Sequence, residues 1–126
     1  MSVRCVLVVE DNEKNMKLFR DVLTAKGFAP LEATTGAEAV DLAVEHLPKL
    51  VLMDIRLPDI DGVEALRRLR ADVRTAAIPV LALTAQAMEG DRERFLSAGF
   101  DGYLSKPVNV AEFVETVRGY CGVGEE

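Results

Sequence analysis

The chain has 126 residues, of which 49% are apolar, enough for one compact domain with a real core. Its formal charge of −6 argues against a nucleic-acid surface, which needs clustered Lys and Arg, and no apolar run is long enough to span a bilayer. The start Met1-Ser2-Val3-Arg4 leads straight into a strand pattern without a signal peptide, so the expected compartment is the cytoplasm.

Strand and helix patterns alternate from end to end. A first strand is expected over about Arg4–Val9 and a helix over about Asn12–Lys26, with Met16, Phe19, Val22 and Leu23 on one face and Gly27 as its stop. A short strand near Leu31–Ala33 has Pro30 at its start, which points to a sheet edge because Pro cannot donate to a central ladder. Ala37, Val40, Val44 and Leu47 then recur at helical spacing until Pro48. Leu50–Ile55 reads as the third strand, and Pro58-Asp59-Ile60-Asp61-Gly62 as a turn. Val63, Leu66 and Leu69 face inward from the next helix, and Pro79 introduces the fourth strand. Glu89–Ala98 is a charged helix that stops at Gly99, and Gly102–Ser105 is the fifth strand. Val110, Phe113, Val114, Val117 and Cys121 form the stripe of a last helix. Residues 1–121 thus read as one α/β domain of five βα units, with 122–126 a short tail. Cys5 and Cys121 lack a Cys or His at metal-ligand spacing and read as reduced core thiols, and the only histidine, His46, reads as a surface residue.

Four apolar runs end on polar residues. Val6–Val9 runs into Glu10 and Asp11, Leu50–Met53 into Asp54, Val80–Leu83 into Thr84, and Tyr103–Ser105 into Lys106. In open parallel sheets, ligands bind beyond the carboxyl ends of the strands, so parallel neighbours would bring these groups to one spot. Three carboxylates so close repel one another strongly, and a divalent cation relieves the cost; hard oxygen donors favour Mg²⁺ or Mn²⁺ over zinc. Solvated loop acids are the alternative reading, less so for Asp54, which directly ends an apolar strand. A carboxylate can also act as a nucleophile and carry a phosphoryl group.

Val9-Glu10-Asp11-Asn12, Met53-Asp54-Ile55-Arg56-Leu57-Pro58, Leu83-Thr84-Ala85 and Ser105-Lys106-Pro107, in this order and spacing, resemble the signature of response-regulator receiver domains. The resemblance covers essentially the whole chain. It implies a flavodoxin-like (βα)5 three-layer sandwich with a five-stranded parallel sheet in the order 2-1-3-4-5. It also implies that Asp54 is the phosphoacceptor, that Asp11 and Asp54 ligate Mg²⁺ with Glu10 acting mainly through water, and that the backbone carbonyl of Arg56 completes the protein ligands. Thr84 and Lys106 would contact the phosphoryl group, Tyr103 would be the switch aromatic, and Lys106–Pro107 would be cis. Arg56 and Gln86 would tune the lifetime of the phosphorylated form. Glu10 is a mild departure, standing where many members have Asp.

The implied protein is a switch rather than a metabolic enzyme. It would take phosphate from sensor histidine kinases or histidine phosphotransfer proteins. It would signal to a downstream protein through the Glu89–Ala98 helix, the fifth strand and the last helix, with no nucleic acid and no membrane insertion. The stretch Val9–Phe19 is similar to that of single-domain receivers in cell-cycle and polarity control. Receivers of hybrid kinases and of the chemotaxis type are the alternative within the family. Outside it stand a Mg²⁺-dependent phosphohydrolase, which would need a second Asp where Arg56 stands, and a flavin or nucleotide binder, which would want small, amide-presenting residues where Glu10 and Asp11 stand.

Overall fold

The computed structural model of the chain describes residues 5–84 and 91–121. The apolar runs form strands β1 (Cys5–Val9), β2 (Ala29–Ala33), β3 (Leu50–Asp54), β4 (Val80–Thr84) and β5 (Gly102–Ser105). Between and after them lie helices α1 (Glu13–Ala25), α2 (Gly36–His46), α3 (Gly62–Ala71), α4 (Asp91–Ala98) and α5 (Val110–Cys121). All neighbouring strands are parallel, in the order β2-β1-β3-β4-β5. This is the expected doubly wound arrangement, and β2, with Pro30 opposite Val6, lies at the edge.

The continuous apolar character of the central strands follows from burial on both faces. Val6, Val8, Leu50, Leu52, Leu81 and Leu83 pack with Phe19 and Phe113 in the layer of α1 and α5. Leu7, Val9, Val51, Met53, Val80 and Ala82 alternate with them and pack beneath α2, α3 and α4. Phe19 and Phe113 stack with centroids 5.2 Å apart, a contact worth about 1 kcal/mol beyond the area it buries. Among the described residues, no helix is long and apolar enough to cross a membrane.

Helix starts are set by side-chain caps. Asn12 accepts from the Asn15 N–H, Thr35 from Glu38 and Asp61 from Glu64, each satisfying a donor the first turn leaves unpaired. Gly27 ends the α1 segment at φ 89°, a conformation that favours glycine. Leu47 closes α2 in the same left-handed region at φ 50°.

Three apolar faces differ from the sequence reading. In α2 the buried residues are Gly36, Ala39 and Ala43; Val40 and Val44 lie at the margin, and Ala37 and Leu47 are exposed. Small side chains let this helix approach its neighbours: a Cβ on Gly36 would sit 2.5 Å from Ile60 Cγ1. Val63 and Val110, each in the first turn of its helix, are also exposed; the buried residues are Gly62, Ala65, Leu66 and Leu69 in α3 and Phe113, Val114, Val117 and Cys121 in α5. Ile55 falls just past β3, though its N–H still reaches the Leu83 carbonyl at 3.2 Å. Cys121 is buried, Cys5 is half-buried and His46 is exposed. Arg4, the 85–90 segment with Gln86, and the 122–126 tail lie outside the described residues.

Candidate functional site

The carboxyl ends of β1, β3, β4 and β5 meet at one end of the sheet. Glu10 extends the β1 ladder by one residue, its N–H donating to the Ala33 carbonyl at 3.0 Å, and this places its side chain inside, 1% exposed. Asp11 follows and is exposed. Asp54 is the last residue of β3, opposite Leu83 of β4, and is 7% exposed. Ligand oxygens of Glu10, Asp11 and Asp54 all lie within 4.8 Å of one another. Thr84 ends β4, equally buried, and its carbonyl accepts the Lys106 N–H at 2.8 Å. That bond fixes the Lys106 backbone beside the end of β4, and the Lys106–Pro107 peptide that follows is cis.

The Lys106 ammonium sits 2.7 Å from both Glu10 Oε1 and Asp54 Oδ2. The other Asp54 oxygen, Oδ1, accepts the Arg56 N–H at 2.9 Å. Glu10 Oε2 accepts the Asn12 N–H at 3.1 Å, so the residue that caps α1 also holds the buried acid. These groups line a cleft of about 550 Å³, whose wall also includes Arg56, Arg94 and Phe95. Tyr103, half-buried on β5, places its ring 6.1 Å from that of Phe95. The structure therefore gathers Glu10, Asp11, Asp54, Arg56, Thr84 and Lys106 as the sequence pattern anticipates.

Two protonation equilibria carry the strain of the site. Burial pushes the Glu10 carboxyl above the usual carboxylate range, and the repulsion of Asp54 adds to it, against the opposing pull of Lys106 and the Asn12 N–H. Burial also disfavours the Lys106 charge, but its hydrogen bonds to Asp54 and Glu10 outweigh this and hold its pKa above the usual lysine value. Lys106 is therefore a fixed cation at neutral pH and not a base.

The donor set suits a small hard cation. Ligand oxygens of three carboxylates cluster within 4.8 Å of one another, and the Lys106 ammonium pairs with two of them, Glu10 and Asp54. Among the described residues, Glu10 Oε1 is buried with no compensating partner beyond the Lys106 ammonium at 2.7 Å. An under-satisfied buried oxygen beside two more carboxylates fits direct or water-mediated contact with Mg²⁺. The arrangement thus sets a buried carboxylate able to act as a nucleophile, an acidic cluster able to hold a cation, a lysine and a threonine around one cleft.

Residues Arg94, Phe95 and Asn12 were not legible as site residues. Arg94 and Phe95 fall in the charged helix with nothing to single them out, and Asn12 stands in the first motif without a role of its own.

The family model for the response regulator receiver domain matches residues 6–118 of the chain. The polar-differentiation response regulator DivK of Brucella ovis is 49% identical over 119 residues, which are 94% of this chain and 97% of that protein. Among solved structures, the receiver domain of the sensor histidine kinase PA1611 from Pseudomonas aeruginosa PAO1 superposes with a TM-score of 0.88 at 36% identity, covering 96% of this chain and 99% of that one. That structure has a magnesium ion coordinated in the active-site cleft. The receiver domain of Ssk1 from Saccharomyces cerevisiae, co-crystallised with the histidine phosphotransfer protein Ypd1, gives a TM-score of 0.85 at 29% identity, covering 94% of this chain and 89% of that one.

Proposed function

The chain belongs to the response regulator receiver domain family, and from that premise we propose that its substrate is its own Asp54, phosphorylated by a histidine kinase or a histidine phosphotransfer protein. The observation that carries this reading is the Asp54 carboxylate itself: buried at the end of β3, fixed by the Arg56 N–H, and paired with Lys106.

In the proposed transfer an Asp54 oxygen attacks phosphorus and the donor's P–N bond breaks, so the phosphoryl group passes to the carboxylate and the imidazole leaves with a proton. With acetyl phosphate the bond broken is P–O and acetate leaves. Asp11, Asp54 and the Arg56 carbonyl would hold Mg²⁺ (or Mn²⁺), with Glu10 contributing through water. When bound, the metal neutralises charge on the phosphoryl oxygens. Lys106 turns from its carboxylate partners to a phosphoryl oxygen, as a point charge on a flexible stem can. The Thr84 hydroxyl donates to another.

Output follows from the same two contacts. Phosphorylation replaces the single charge of the Asp54 carboxylate with a phosphoryl group carrying nearly two, a net gain of about one, and drawing Thr84 toward that group opens space that Tyr103 can fill. Tyr103 already packs beside Phe95 of α4, so its movement alters the surface of α4, β5 and α5, where a downstream protein would bind. The likeness to DivK supports a role in cell-cycle or polarity control exerted on partner kinases in the cytoplasm. Arg56 and Gln86 would set the lifetime of the aspartyl phosphate. A phosphohydrolase reading lacks its acid: Arg56, exposed, stands where that chemistry needs a second carboxylate.

The test is intact-mass measurement after incubation with Mg²⁺ and acetyl phosphate or phosphoramidate. Wild type gains one phosphoryl group and Asp54→Asn gains none; equal gain in both would end the proposal.

A further inference from the structure

The β3–α3 loop, residues 55–61, carries Arg56, which lines the cleft. At its base it is tied to the sheet: Ile55 N–H reaches the Leu83 carbonyl, and the Gly62 N–H returns to the Ile55 carbonyl at 2.8 Å. Its outer half is held differently. The Asp59 carboxylate leaves its own loop and receives two backbone N–H groups from the start of α2, Gly36 onto Oδ1 at 2.8 Å and Ala37 onto Oδ2 at 3.0 Å. Beside it Ile60 packs so closely on Gly36 that a Cβ there would collide with its side chain. The β2–α2 turn that receives this clamp follows directly on Ala33, whose carbonyl holds the Glu10 N–H.

We propose that Asp59 is a positioning residue for the cation site, clamping the β3–α3 loop to the first turn of α2 so that Arg56, which lines the cleft with Glu10 and Asp54, is held in place. The clamp joins, through one carboxylate, the two chain segments that flank the acidic cluster. Its two bonds occupy both oxygens, and the positive end of α2 favours the negative charge. The Ala37 and Gly36 N–H bonds hold the Asp59 pKa down to about 2, so the clamp is intact throughout the neutral range. Ile60 and Leu57 add apolar contacts, so losing the clamp loosens the loop without unfolding the domain.

This inference rests on the cation-site reading above, and the experiment separates the two. Mg²⁺ affinity is measured by titration calorimetry on wild type, Asp59→Asn, Asp59→Ala and Thr35→Ala, with melting temperatures taken in EDTA. Removing an outer support of a metal ligand costs roughly tenfold in affinity, the low end of what such partners contribute. Asp59→Ala should show that weakening, and Asp59→Asn, which keeps one acceptor oxygen for two donors, an intermediate value. Thr35→Ala removes the α2 N-cap at the same helix end without touching the loop, so it lowers the melting temperature but leaves Mg²⁺ affinity unchanged. Wild-type affinity in a folded Asp59→Ala protein overturns the clamp and leaves the site reading standing. Should Asp59→Ala fail to fold, wild-type affinity in Asp59→Asn overturns it equally. Equal weakening in Thr35→Ala also overturns it, because helix capping would then explain the effect. Absence of Mg²⁺ binding in wild type defeats the cation-site reading and the clamp with it.

Discussion

Replacing Lys106 by Met removes one charge and keeps an unbranched side chain only one heavy atom shorter. In wild type the ammonium compensates two buried carboxylates, each at 2.7 Å, with Glu10 only 1% exposed. Without it, two carboxylates face each other at no more than 4.8 Å, a repulsion of about 3.5 kcal/mol at an effective dielectric near 20. Proton uptake by Glu10 caps the loss, so the expected destabilisation in EDTA at pH 8 is about 3 kcal/mol, in the range for breaking a buried pair. For a domain of this size that is a fall of roughly 10 °C in melting temperature. The pH dependence has a definite sign. Burial already raises the Glu10 pKa, and losing Lys106 removes influences that lower it, so it rises further. A raised carboxylate pKa favours the folded state while the group is protonated, and that advantage is lost as pH rises through the folded value. The deficit of Lys106→Met is therefore smaller at pH 5 than at pH 8. Mg²⁺ replaces the lost positive charge, so saturating Mg²⁺ narrows the deficit to about 1 kcal/mol by binding linkage. Urea denaturation followed by far-UV circular dichroism, at both pH values with EDTA or Mg²⁺, reads all three effects. A deficit below about 1 kcal/mol, or one indifferent to both pH and Mg²⁺, would refute this electrostatic account of the cleft.

Three further expectations concern the frame around the site. Gly62→Ala places a Cβ 2.7 Å from the Asp54 carbonyl oxygen and 3.0 Å from Ile55 Cα, so backbone must shift; about 2 kcal/mol of stability is lost, with slower phosphorylation by mass spectrometry. Arg70 donates to the carbonyls of Ala76, Ile78 and Gly99 and to Asp101, which in turn holds the Val80 N–H, so Arg70→Ala should cost about 3 kcal/mol in urea denaturation with Arg70→Lys recovering only part. Asp59 carries a depressed pKa, so its contribution is present above the unfolded value near 3.8 and is lost as pH falls toward about 2. Acid denaturation curves of wild type and Asp59→Asn should accordingly differ above pH 3.8 and converge below it.

The strands and the acidic site were legible in the chain because both follow from local pattern. Buried parallel strands need unbroken apolar runs, and the polar residue after each run falls where the strand leaves the sheet. Pro30 marked the edge strand for an equally local reason. What escaped depends on partners remote in sequence. Hydropathy favours Val40 and Val44 over Ala39 and Ala43, yet close helix approach selects the small residues, and only the packed structure shows it. Asp59 reads as one residue of a polar turn, since its partners Gly36 and Ala37 lie more than twenty residues earlier. Nothing in the local pattern singles out Arg70, which bonds carbonyls of two other segments. Val63 and Val110 misled because they fit the apolar spacing of their helices, yet both lie in the first turn with exposed side chains.

The central claim is that Asp54 receives the phosphoryl group. Borohydride reduces an acyl phosphate to the alcohol, so reduction after Mg²⁺-dependent phosphorylation, followed by peptide mapping, names the acceptor directly. The account predicts homoserine at position 54 and at no other acidic residue. An unreduced Asp54 in phosphorylated protein, with phosphate on a hydroxyl or on another carboxylate, would contradict it.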